Sequence, residues 1–226
     1  ALGHDLDSVA RSLREGRDAF RASGALEGLS VCPAEDWGQD GARQQFEGWR
    51  HRHYLNRGSR MAVLSGLRAL RDAGLEAGLP VRSQIIAAVG PMLDVTGEPG
   101  LPPQDTATLG ALWLLRWLPN TAAGALARFA RCHGEALTVN AACASALQAL
   151  GEGWRRIRFG LADAVLVAAG DSRLSLGGLL GYHKARALSL CAPGTGPRPF
   201  DMGRDGFVPG EGGAAFVMES LSSAQA

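Results

Sequence analysis

Cys143 is the residue of this sequence whose type and position suggest chemistry most directly. Ahead of it, residues 136–139 alternate small and β-branched side chains, a pattern typical of a buried strand. After it, large apolar residues recur at spacings of three and four and describe one stripe of a helix: Leu147, Leu150, Trp154 and Ile157. The sequence therefore predicts a strand that turns sharply into a helix, with Cys143 in the first helical turn.

A cysteine at the start of a helix is suited to nucleophilic catalysis. The unpaired backbone N–H groups there and the positive end of the helix dipole favour the thiolate over the thiol. Basic residues at the far end of the same segment agree with this direction of the dipole: Arg155, Arg156 and Arg158. Since the thiolate is the reactive form, Cys143 is the candidate catalytic residue.

The alternative interpretation is a cysteine that only packs in the core, because free cysteine is among the most buried residue types. The neighbours of Cys143 favour the nucleophile, since small side chains on both sides let backbone and substrate approach closely. These neighbours are Ala141, Ala142, Ala144 and Ser145. A cysteine that only packs in the core does not need small residues on both sides.

The composition is that of an ordinary globular protein and narrows the range of partners. Of the 226 residues, 46% are hydrophobic and 20% are charged, and we expect a single domain over residues 1–226. With 23 basic and 22 acidic side chains, no net field attracts nucleic acid or an anionic membrane, so neither is an expected partner. The longest apolar stretch, 109–118, is interrupted by Arg116 and is too short to span a bilayer.

Histidine and cysteine usage adds two expectations. His51 and His53 form an HxH pair, but a metal site needs three or four ligands, so no metal is predicted. The cysteines are scattered without a CxxC pair, which favours a reduced, cytoplasmic compartment: Cys32, Cys132, Cys143 and Cys191.

Helical and strand patterns alternate along the chain. Helices are predicted at 5–16, 56–74, 109–118 and 121–131, and strands at 83–89, 136–139, 162–170 and 214–219. Residues 17–56 are predicted to form an irregular segment with aromatic anchors, and 90–106 a loop. Alternation of this kind predicts an α/β layered fold with a mostly parallel sheet covered on both faces.

Several motifs, in this order, resemble the β-ketoacyl-acyl carrier protein synthases of the thiolase superfamily. The segment 138–145, TVNAACAS, is similar to the nucleophile motif of that family, and 160–163, GLAD, to the start of the strand that follows it. The segments ARALS (185–189), PFD (199–201), RDGFV (204–208) and GEG (210–212) are similar to later family motifs. The resemblance covers nearly the whole chain and implies a thiolase-like layered fold built on a sheet of the five-stranded type.

The resemblance also implies that part of the family pattern is missing from this sequence. We expect the first strand of the family and its second, similarly folded half to be absent. The two histidines and the lysine that support decarboxylation and condensation belong to that second half. The five histidines of this chain match none of those positions: His4, His51, His53, His133 and His183.

The function implied by the resemblance is that of a condensing enzyme of fatty acid or polyketide synthesis. Cys143 would accept an acyl group from acyl carrier protein, for decarboxylative Claisen condensation with a malonyl carrier. No cofactor is implied beyond the phosphopantetheine arm of the carrier. Tyr182 matches an aromatic gate of the acyl pocket, and Arg186 is the second implied substrate-binding residue.

Two further expectations follow from the resemblance. The strand before the nucleophile, 136–140, matches a segment that pairs with its copy across a two-fold axis, so we expect a homodimer or heterodimer. The alternative to a condensing enzyme is a non-catalytic partner, similar to the chain-length-factor subunits that pair with a ketosynthase. Basic residues that could contact an acidic carrier are Arg50, Arg52, Arg57 and Lys184.

Overall fold

A computed structural model describes residues 2–35, 37–91, 110–190 and 196–225. The chain divides into two compact units. The first, which we call the sheet unit, comprises Asp40–Met92, Ala111–Asp171 and Gly213–Ala226. The second unit comprises Ala1–Gln39, Leu93–Gly110 and Ser172–Gly212.

The helices of the described residues are α1 (Leu6–Arg14), α2 (Gly41–Gly48), α3 (Arg57–Asp72), α4 (Thr121–Phe129), α5 (Ser145–Arg158), α6 (Leu176–Lys184) and α7 (Leu221–Ala224). The strands are β1 (Arg21–Ala22), β2 (Ser30–Val31), β3 (Ser83–Val89), β4 (Ala136–Thr138), β5 (Ala164–Ser172) and β6 (Glu211–Glu219). Among the described residues, no helix is long and apolar enough to cross a membrane.

The four longer strands form one sheet in the order β4-β3-β5-β6. β3 runs parallel to both neighbours, with Ile85 opposite Ala136 and Ser83 opposite Ala164. β6 runs antiparallel to β5. The end of β6 lies at the start of β5, where the N–H of Ser220 donates to the carbonyl oxygen of Asp163. The prediction of an α/β fold with a mostly parallel sheet is confirmed.

Helices cover both faces of this sheet, as continuous apolar strands require. On one face, Ala149 of α5 packs with Ile86 and Val165. On the other face, α3 and α4 contact β3, and Gly66 of α3 lets the two helices approach, since an added Cβ would lie 2.4 Å from a methyl group of Leu126. The core of the sheet unit therefore lies on both sides of β3, all of whose residues are buried.

The irregular segment predicted at 17–56 contains a helix that its sequence pattern does not predict. α2 begins at Gly41 because the carboxylate of Asp40 accepts a hydrogen bond of 2.8 Å from the N–H of Arg43. Phe46 of this helix, one of the aromatic residues of the segment, is fully buried, as expected of an aromatic anchor.

The helix predicted at 109–118 is wrong in the part that the structure describes. Only a 3₁₀ turn, Trp113–Arg116, forms there. Leu112 precedes it with φ 63°, a left-handed conformation that no α-helix contains. Most of the predicted loop 90–106 and the start of 109–118 lie outside the described residues.

Candidate active site

The candidate nucleophile lies on a tight turn between β4 and α5. After β4 the N–H of Val139 still bonds to the carbonyl oxygen of Ala87, at 2.9 Å. The chain then turns at Ala142, whose φ is 49°. Cys143 follows in the 3₁₀ turn Ala142–Ala144, and α5 begins two residues after the cysteine.

This geometry corrects the sequence prediction in one respect. Cys143 lies in a 3₁₀ turn immediately ahead of the helix, not within its first α-helical turn. The physical reason is the left-handed Ala142, which a regular helix cannot include. Cys143 nevertheless stays beside the N–H groups that open α5, as the predicted chemistry requires.

The side chain of Cys143 is exposed, whereas Cys32 and Cys132 are partly covered. The alternative interpretation of a packed core cysteine is therefore wrong for the described chain. The turn is closed by Ser145, whose hydroxyl oxygen lies 2.7 Å from both the N–H of Ala141 and the carbonyl oxygen of Ala142. In the sequence Ser145 is only a small neighbour of Cys143, because nothing in its spacing signals this contact.

The far end of α5 is fixed by a network of charged groups. Arg156 donates to Glu152 at 2.8 Å and also to Glu135, the residue just before β4. Hydrogen bonds from Arg156 and then Arg155 hold the pKa of Glu152 below its ordinary value. The far end of the helix that follows the nucleophile is thus tied to the residue that precedes β4.

A cleft of about 530 Å³ lies between β4 and α5 in the sheet unit. Its lining is Leu137, Thr138, Val139, Gln148, Glu152 and Arg155. The hydroxyl of Thr138 is buried and makes no hydrogen bond within the described residues. The cleft follows the open edge of β4 and does not include Cys143.

The other two predicted site residues lie in the second unit. Tyr182, in the last turn of α6, is half-buried and its ring contacts that of Phe207. Arg186 is exposed just beyond α6 and has φ 55°. Their roles as substrate-binding residues stay predictions, as does the catalytic role of Cys143.

The described ranges contain no group of three or more histidine, cysteine, aspartate or glutamate side chains that could hold a metal ion. His51 of the HxH pair accepts a hydrogen bond of 3.0 Å from Arg50, and His53 lies 2.7 Å from the carbonyl oxygen of the same residue. The two imidazoles are therefore engaged within the 3₁₀ turn Arg50–Tyr54.

Comparison with known proteins identifies the family. The family described as "Beta-ketoacyl synthase, N-terminal domain" matches residues 1–224. This chain belongs to that family. The resemblance found in the sequence motifs is thereby confirmed, and its motifs span the same ketoacyl synthase domain.

Curated relatives of this ketoacyl synthase domain are longer proteins. The chain is 31% identical over 183 residues to the tetracenomycin polyketide synthase ketoacyl synthase alpha subunit of Streptomyces glaucescens, covering 75% of this chain and 43% of the relative. It is 29% identical over 171 residues to 3-oxoacyl-[acyl-carrier-protein] synthase 2 of Vibrio cholerae, covering 73% of this chain and 41% of the relative. The chain thus spans less than half the length of these two relatives.

Solved structures confirm the thiolase-like fold. A β-ketoacyl synthase from Burkholderia phymatum superposes with a TM-score of 0.82 at 24% identity, covering 100% of this chain and 57% of the other. The ishigamide ketosynthase/chain length factor superposes with a TM-score of 0.80 at 25% identity, covering 99% of this chain and 56% of the other. The predicted layered α/β architecture is therefore correct.

Proposed function

We propose that this chain carries the acyl-accepting nucleophile of a β-ketoacyl synthase, and that Cys143 is that nucleophile. The observation that carries the proposal is an exposed cysteine on a strained turn at the start of a long helix, within a domain of the ketoacyl synthase family. Curated relatives named as 3-oxoacyl-[acyl-carrier-protein] synthases support the same reaction class.

The first step is transfer of an acyl group between two sulfur atoms. The thiolate of Cys143 attacks the carbonyl carbon of an acyl thioester on the phosphopantetheine arm of acyl carrier protein. A new carbon–sulfur bond forms to Cys143, the bond to the arm breaks, and the arm leaves as a thiolate that takes up a proton. In this proposal the backbone N–H of Cys143 polarises the thioester oxygen.

The second step is condensation with a malonyl carrier. Loss of carbon dioxide from the malonyl group generates a carbanion, which attacks the acyl-cysteine carbon and releases the Cys143 thiolate with a β-ketoacyl product. The family residues that promote this step match no position of these 226 residues. We therefore expect acyl loading by this chain to be separable from condensation, which a complementing segment or subunit would complete.

The acidic carrier is proposed to meet the basic residues near the start of α3. Arg50 and Arg52 lie in the 3₁₀ turn before this helix, and Arg57 is its first residue. Burial is the largest cause that lowers the pKa of Arg60 in the same region, and the nearby charges of Arg116, Arg52 and Arg57 lower it further. Such a concentration of positive charge favours an acidic partner.

The alternative function is a chain-length-factor-like partner that shapes the pocket of another ketosynthase. The observation in its favour is the similarity to the ishigamide ketosynthase/chain length factor. The exposed Cys143 favours the acyl-accepting role instead, since a non-catalytic partner does not require a thiol at this position.

Mass spectrometry of the intact protein tests the proposal. Incubation with acyl carrier protein that bears an acyl thioester, such as octanoyl, should add one acyl group to the chain. The Cys143→Ala variant, which lacks the sulfur, should add none. An unmodified mass for the unsubstituted chain across several acyl lengths would favour the alternative.

A further inference from the structure

The hydroxyl of Ser145 closes the turn that carries Cys143. Its oxygen accepts a hydrogen bond of 2.7 Å from the N–H of Ala141 and donates one of 2.7 Å to the carbonyl oxygen of Ala142. A third bond, of 3.1 Å, joins the N–H of Ala144 to the carbonyl oxygen of Ala141. Cys143 is therefore enclosed by bonds between the residues that precede it and those that follow it.

Ala142 is the residue that this closure holds in place. Its φ of 49° lies in the left-handed region, which disfavours any residue with a Cβ and which glycine adopts readily. Such conformations persist where surrounding contacts impose them, and they concentrate at functional sites. The Ser145 hydroxyl bonds to the carbonyl group of this residue and to the N–H of the residue before it.

We propose that Ser145 is a positioning residue for Cys143. Its hydroxyl holds Ala142 in the left-handed conformation and so fixes the direction in which the Cys143 thiol points. This inference rests on the proposed function, in which the sulfur attacks a thioester carbon while the thioester oxygen faces an N–H group of the same turn.

Two reactions of Cys143 distinguish a positioning role from a general effect on folding. Acyl transfer from a carrier requires the sulfur and the N–H donor to face the thioester together. Alkylation by iodoacetamide requires only an accessible thiolate. A turn that loosens without unfolding therefore slows acyl loading much more than it slows alkylation.

The test compares variants of the full chain. Ser145→Ala should slow octanoyl loading from acyl carrier protein about tenfold, the scale of one or two lost hydrogen bonds, with alkylation of Cys143 nearly unchanged. Ser145→Thr keeps the hydroxyl and should retain loading. Ser220→Ala is the matched control, because the Ser220 hydroxyl caps α7 in the same unit by accepting from the N–H of Ser223, and it should change neither reaction.

A second substitution relieves the strain directly. Ala142→Gly, made in the Ser145→Ala background, should recover part of the lost loading, because glycine adopts a positive φ without steric cost. Amide exchange in peptides that cover residues 140–146 should rise in Ser145→Ala and not in Ser145→Thr or Ser220→Ala.

Either of two results would overturn the inference. One is unchanged loading in Ser145→Ala, and the other is loading and alkylation reduced by the same factor. If the unsubstituted chain accepts no acyl group at all, the proposed function fails. The role of Ser145 in holding the turn is then decided by amide exchange alone, and unchanged exchange in Ser145→Ala would reject it.

Discussion

The ring of Tyr182 meets the ring of Phe207 edge-on, with 5.2 Å between the ring centroids and 79° between the planes. Phe207 is itself held by the segment after α6, since its N–H donates to Ala187 and its carbonyl oxygen accepts from Ser189, each at 3.0 Å. The side-chain conformation of Tyr182 therefore depends on a neighbour with a fixed backbone. If Tyr182 gates the acyl pocket, Phe207 limits how far the gate opens.

The first prediction concerns this pair. Tyr182→Ala should change which acyl lengths load on Cys143 while leaving alkylation of Cys143 intact, and Phe207→Leu should change the preference in the same direction but less. Because Tyr182 is only half-buried, its truncation should lower the free energy of unfolding by less than about 3 kcal/mol, the lower end for buried aromatic residues. Loading of short and long acyl carriers is measured beside the melting temperature.

The control for this pair is Phe200→Leu, since the side chain of Phe200 is 99% exposed. It should alter neither length preference nor stability. A large loss of stability in Tyr182→Ala with an unchanged length preference would show that Tyr182 packs and does not gate.

The second prediction concerns the order in which the cysteines react. Limiting iodoacetamide should label Cys143 first, because its side chain is exposed. Burial raises the pKa of Cys132, whose sulfur also lies 3.1 Å from the carbonyl oxygen of Ser83, so this thiol should react slowly. Peptide mapping of the folded protein measures the order, and preferential labelling of Cys32, Cys132 or Cys191 would contradict it; Cys191 lies outside the described residues.

The third prediction concerns Asp40, which joins two helices of the sheet unit. Its carboxylate caps α2 and also accepts a hydrogen bond of 2.8 Å from Arg68 of α3. Asp40→Ala should lower the free energy of unfolding by about 1 to 2 kcal/mol, the scale of a lost helix cap. Asp40→Asn, which keeps the capping oxygen, should cost less. Urea unfolding at neutral pH measures both.

The pH dependence of this effect has a definite sign. Burial alone would raise the pKa of Asp40, but the hydrogen bonds from Arg43 and Arg68 outweigh it, so the pKa in the folded protein is lowered from 3.8. The stabilisation is therefore complete above pH 3.8 and is lost as the pH falls through the folded-state pKa. The stability gap between the unsubstituted chain and Asp40→Asn should shrink in that range, and a gap that widens there would contradict the assignment.

The sequence predicted elements with strong patterns almost to the residue. β3 was predicted at 83–89 and forms over Ser83–Val89, because its apolar run 85–89 is too short for a helix and fits a fully buried strand. α3 was predicted at 56–74 and forms over Arg57–Asp72. In β3 the pattern reflects burial on both faces of the strand.

The elements that the sequence missed depend on local contacts that leave no periodic pattern. α2 has a glycine at each end, and glycine lowers helix propensity, so the cap at Asp40 decides its formation. The left-handed φ of Ala142 has no sequence signal, since alanine is the best helix former. The position of Cys143 could be predicted, but the geometry of its turn could not.

The last prediction concerns the open edge of the sheet at β4. Within the described residues β4 pairs only with β3, so its other edge offers free backbone groups beside a cleft that includes Leu137. Pairing of this strand with a second copy would satisfy those groups through a two-fold interface and protect an aggregation-prone edge. Light scattering at micromolar concentration should therefore give twice the mass of one chain.

Leu137→Lys places a charge on the strand and should shift the protein toward monomer, whereas Val81→Lys, at a position 95% exposed, should leave the mass unchanged. A soluble, strictly monomeric unsubstituted chain would show that β4 does not pair with its own copy.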